Sequence, residues 1–146
     1  MISNAEKSFI GLSLYLFSHI LIAGNLTFEF EINQTKEKGK PWDGLSRFFG
    51  AEPAPDIHGI IKIITGEECQ IELKEDTFLA KQECTFKTKI NKDDKISFEI
   101  FDKDNLRRDD IIFIGTVTFS ENPTIINFEN ELPDSPSKFL KSMKIY

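Results

Sequence analysis

The chain has 146 residues, 40% hydrophobic and 29% charged, an ordinary one-domain globular composition that excludes a disordered chain and a multi-span membrane protein. Its net charge of −6 works against non-specific nucleic-acid binding, because a phosphate backbone is held by clustered Lys and Arg. Cations are the expected charged partners.

The first segment differs from the rest. Residues Phe9 to Ala23 form a mostly apolar run behind a polar head containing Glu6 and Lys7, shorter than the roughly twenty residues needed to cross a bilayer. That length suits a signal-peptide core better than an anchor, so residues 1–23 are expected to be a signal peptide and 24–146 the folded domain. A buried hydrophobic helix or loosely held tail is the alternative. Export would make the protein secreted or periplasmic, in the cell envelope, with membrane association an open option.

From residue 25 onward the hydrophobic period is two. Leu26, Phe28, Phe30 and Ile32 alternate with Thr27, Glu29, Glu31 and Asn33, which on a strand turns one side inward and the other outward. Further extended runs fall at 57–65, 69–74, 84–90, 95–101, 111–119, 124–128 and 138–145, separated by turn chemistry such as Gly66-Glu67-Glu68, Lys92-Asp93-Asp94 and Asn122-Pro123. Eight short strands without a helical period imply an all-β antiparallel sandwich or barrel, with function on the loops at one end. Most phenylalanines sit on the inward phase and are expected in the core. Phe48 and Phe49 are exceptions, lying in a loop punctuated by Gly and Pro.

Two cysteines, Cys69 and Cys84, lie in the folded part. In an oxidising compartment they would close a disulfide across neighbouring strands; in the cytosol they would be small buried hydrophobes. They are poor metal ligands, lacking CxxC spacing, and His58 is the other soft ligand after residue 23. The densest acidic stretch is FDKDNLRRDDIIFIG, with Asp102, Asp104, Asp109 and Asp110 between two apolar strands. Carboxylates converging on one volume repel by about 4 kcal/mol per pair at 4 Å and an effective dielectric near 20, a cost that a bound cation removes. Hard oxygen ligands suit calcium better than zinc or copper. An EF-hand is excluded, because counting from Asp102 puts Arg107 at the glycine position and Phe113 at the bidentate Glu position.

On these residues the chain resembles a C2 domain, from about Leu26 to Phe119 with Lys138 to Ile145 as the closing strand. ISFEIFDKDNLRRDDIIFIG is similar to the family's strand, Asp-rich third calcium loop and following Ile-Gly strand; KPWDG and APDIHGIIKI resemble its first calcium loop. The resemblance implies an eight-stranded C2-like Greek-key sandwich binding Ca2+ through Asp43, Asp56, Asp102, Asp104 and Asp110, with Asp109 replacing Asp110 if the loop register slips by one. It departs from the family at Asp56-Ile57-His58, in the longer stretch between Asp43 and Asp56, and at Ala80-Lys81-Gln82-Glu83, where the usual turn before the central strand is missing.

The resemblance also implies an anionic phospholipid surface as partner, touched by loop-tip residues Leu106, Arg107 and Arg108 and by Phe48 and Phe49, which would otherwise pack under their own loop. Lys87 and Lys89 share an outward phase with Thr85 and are a second candidate lipid contact, with a solvated face as the simpler account. The alternative function is an exported structural domain, rigidified by calcium, that recognises a protein partner without lipid. Catalysis is not expected: there is no GxSxG, no Cys-His pairing and no glycine-rich phosphate loop.

Overall fold

The computed structural model describes residues 24–36, 40–42, 54–104, 108–120, 123–128 and 139–146. Eight strands run through them: β1 (Gly24–Ile32), β2 (Ile57–Ile63), β3 (Glu68–Lys74), β4 (Leu79–Phe86), β5 (Lys95–Asp102), β6 (Asp110–Thr118), β7 (Thr124–Asn127) and β8 (Leu140–Ile145). They form two four-stranded antiparallel sheets, ordered β4-β1-β8-β7 and β3-β2-β5-β6, with no helix among the described residues. The chain changes sheets between β1 and β2, β3 and β4, β4 and β5, and β6 and β7, so β1 ends up between β4 and β8. This is the sandwich architecture that the C2 resemblance implies. The apolar segment 1–23 lies outside the described residues.

Alternation explains the core. Phe28, Phe30 and Ile32 of β1 face Ile57, Ile61 and Ile63 of β2 and Ile96, Phe98 and Ile100 of β5, and all are buried. Phe98 is central, with edge-on contacts to Phe28 at 5.7 Å and Phe30 at 6.1 Å. Each such side chain stabilises the fold by roughly 1.5–3 kcal/mol relative to exposure. Gly59 is required where β2 meets β5, because a Cβ there would lie 2.0 Å from the Glu99 carbonyl oxygen.

The largest departure from the sequence reading is β4. Alternation predicts a strand over 84–90, whereas β4 spans Leu79–Phe86, with Ala80, Cys84 and Phe86 buried. The inward phase is the expected one, but the strand begins five residues earlier and stops at Phe86. It stops because the Glu67 carboxylate accepts hydrogen bonds from the backbone N–H of Lys87 (2.6 Å) and Thr88 (3.0 Å), while the partner strand β1 begins at Gly24, opposite Phe86. Lys87 and Lys89 therefore lie beyond the strand, where both are exposed like Thr85. A similar limit ends β2 at Ile63, where Gly66, at φ 88°, turns the chain and leaves Ile64 exposed.

Cys69 and Cys84 form a disulfide with a Cα separation of 5.9 Å. The bond joins edge strands of different sheets, β3 and β4, rather than hydrogen-bonded neighbours. It thereby ties the sandwich together along one side.

Candidate functional site: an acidic rim with a lysine in it

Strand pairing builds the rim. In the β2-β5-β6 register Ile57 lies opposite Asp102, and Asp102 opposite Asp110, so the start of β2, the end of β5 and the start of β6 share one end of the sandwich. Asp56 sits one residue before β2. Its backbone N–H donates to Asp102 Oδ1 at 2.8 Å, and its carbonyl accepts from the Lys103 N–H at 2.9 Å. Its own Oδ1 accepts from the N–H of Asp76 at 2.9 Å, which holds the β3–β4 connection, where Asp76 has φ 48°. Asx-type side chains tolerate that left-handed conformation better than most.

Asp102 is 1% exposed. A buried carboxylate is costly unless paired and hydrogen-bonded, and here the compensation comes from across the sandwich. The Lys36 ammonium is ion-paired with Asp110 and lies 3.8 Å from Asp102 Oδ2. Lys36 follows β1, in a loop closed by its N–H donating to the Lys40 carbonyl at 2.7 Å. Its ammonium also stands 5.0 Å from the ring centroid of Trp42, within cation–π range. Trp42 is buried, donates from Nε1 to the Asn33 carbonyl at 2.8 Å and packs edge-on against Phe139 at 5.3 Å.

The other expected residues are distributed as follows. Asp109 turns away from this pair: His58 Nε2 donates to its Oδ2 at 2.9 Å, and its Oδ1 accepts from the Asp104 N–H at 3.2 Å. The His58 ring lies against Phe101 at 5.7 Å, so this hydrogen bond ties β2 to the β5–β6 loop. Asp104 is partly buried in that loop and Arg108 is exposed. Lys87 and Lys89 are at the opposite end, beside the start of β1. Asp43, Phe48, Phe49, Leu106 and Arg107 lie outside the described residues. Among the described residues no three His, Cys, Asp or Glu side chains gather as a metal cage.

Sequence reasoning missed Lys36, Trp42 and Asp76. A lysine in a turn reads as solvated, and its partners lie 66 to 74 residues on; the available signal was the excess of acids on the loop opposite a KEKGK run. Beside Lys36 a cleft of about 810 Å³ opens between the end of β1 and the starts of β4 and β8, lined in part by Asn33, Thr35, Phe78, Phe139 and Lys141. On its wall Lys141 donates to Glu31 at 2.8 Å and, with burial opposing and Ser142 assisting, lowers the Glu31 pKa.

No family model matches this sequence, and the search of curated proteins returns no match. Among solved structures, the chain is similar to a region of extended-synaptotagmin 2 holding its SMP domain and two C2 domains, at 17% identity over 84% of this chain and 26% of that one, with a TM-score of 0.47. A structure of the two C2 domains of the same protein gives 18% identity, 84% and 40% coverage and a TM-score of 0.44. Human GIVD cytosolic phospholipase A2 gives 15% identity, 84% and 17% coverage and a TM-score of 0.43. The chain spans less than half of each of these chains, and at such scores the likenesses say nothing about ligands.

Proposed function

We propose that the chain is a calcium-binding, C2-like module that docks on anionic phospholipid through its acidic rim, a binding protein rather than an enzyme. The observation that carries this reading is the stand-in cation: Asp102 and Asp110 already share a positive charge, the Lys36 ammonium. The donors are hard carboxylate oxygens, the chemistry calcium prefers. In this reading Asp56, Asp102, Asp104 and Asp110, joined by Asp43, would hold the ion. Bound calcium would neutralise the carboxylates and offer open positions to phosphate oxygens. This chain's own contribution is orientation: Asp102 is pinned by the Asp56 N–H, and Asp56 by the Asp76 N–H. Arg108, exposed on the β5–β6 loop, adds a positive charge for the headgroup layer.

A second reading has the same ion only stiffening an exported domain that binds a protein. The Cys69–Cys84 disulfide favours it, being the kind of cross-link that persists outside the cytosol. Sedimentation with phosphatidylserine vesicles separates the two. The membrane reading predicts pelleting with calcium and release by chelator; calcium binding without pelleting on any anionic lipid would leave the second.

A further inference from the structure

We propose that Lys36 is the resident cation of the acidic rim: a tethered ammonium that holds Asp102 and Asp110 together without metal and must leave before a divalent ion can enter. The second half rests on the calcium reading above; the first does not.

Three observations on separate elements support it. The ammonium ion-pairs with Asp110 and lies 3.8 Å from Asp102 Oδ2, so it stands where the two carboxylates face each other across the β5–β6 pair. It is held from the other side by the Trp42 ring at 5.0 Å, and that ring is buried and fixed by its own hydrogen bond to Asn33. Lys36 is thus bounded on two sides, with its side chain 19% exposed, unlike a lysine that meets an acid by chance in solvent. It also lines the cleft beside the rim, so a displaced ammonium has open space to enter without moving a strand.

The consequence is competition within one molecule. A tethered charge is present at high effective concentration, and the apparent affinity of an incoming ion is reduced by the fraction of molecules in which the lysine occupies the rim. The rim would then stay free of calcium until its concentration is high, as outside cells. Trp42 reports the exchange, being the one tryptophan in the chain.

The test compares the full-length wild type with Lys36→Met, which keeps the aliphatic length, and Lys36→Arg, which keeps the charge. Calcium chloride is titrated by calorimetry, Trp42 emission is followed in parallel, and melting is recorded in chelator. Lys36→Met is expected to melt lower in chelator by about 5 °C or more and to regain that loss with calcium. It should bind calcium about tenfold more tightly. Wild-type Trp42 emission should change saturably with calcium and that of Lys36→Met should not, while Lys36→Arg stays near wild type.

Calcium binding in Lys36→Met no tighter than in wild type would overturn the competition and leave the calcium reading standing. An absence of calcium heat in every protein would instead contradict the calcium reading. In that case a lower melting temperature for Lys36→Met, but not Lys36→Arg, still supports the resident cation, and equal melting temperatures overturn it. If Lys36→Met does not fold, the decision passes to Lys36→Arg and wild-type Trp42 emission: a wild-type emission unmoved while calcium heat saturates overturns the proposal.

Discussion

The two ends of the sandwich are closed by different forces. At the end carrying the β2–β3 turn, a covalent bond between Cys69 and Cys84 joins the sheets and one partly buried carboxylate, Glu67, caps two backbone N–H groups. At the other end, Asp56 and Asp102 also accept backbone N–H groups, but Asp102 and Asp110 additionally face a lysine. The first end is chemically complete. The second holds two carboxylates that share one lysine, and that difference is why the proposed function is placed there.

The largest effect is expected from breaking the rim. Asp102→Ala leaves the Asp56 N–H without its acceptor and the Lys36 ammonium with Asp110 as its remaining carboxylate, and should destabilise by about 3 kcal/mol or more in a urea melt. Breaking the other end should cost a comparable or slightly smaller amount. Removing a disulfide with a sequence separation of 15 costs about 3 kcal/mol on the chain-entropy estimate, and Cys69→Ser with Cys84→Ser should do so while leaving calcium heats unchanged. A change in those heats would show that the two ends are coupled.

Smaller perturbations sharpen the contrast. Gly66 has φ 88°, and a Cβ there would meet nothing, so Gly66→Ala clashes with no neighbour but is strained by the left-handed backbone and should cost about 1–2 kcal/mol, again without touching the rim. The weakest effect is on pH. Hydrogen bonding to Thr88, then to Lys87, lowers the Glu67 pKa. The folded-state value lies below the unfolded one, so its contribution is fully present above the ordinary carboxylate range and is lost as pH falls through the folded pKa. Glu67→Gln should therefore flatten the acid limb of the melting curve and leave the neutral limb nearly unchanged.

Period-two alternation made β1, β2 and β5 legible, because one face of each is buried by Phe and Ile. It could not locate β4. The phase of Ala80, Cys84 and Phe86 continues into Thr88 and Ile90, and only the capture of the Lys87 and Thr88 N–H groups by Glu67, in a different hairpin, stops the strand. The rim shows the same division. Asp102 and Asp110 stand out as a local acidic run, and the adjacency of Asp56 to Asp102 follows once β2 and β5 pair. Lys36 reaches them only through the packing of the two sheets, and nothing in its immediate sequence announces that.

The most direct measurement is a calcium titration by calorimetry on the wild-type protein and on the double variant Asp102→Asn, Asp104→Asn. Saturable binding is expected in the wild type and its loss in the variant, with the sandwich still folded by circular dichroism. Identical heats in the two proteins, or none in the wild type, would contradict the calcium reading.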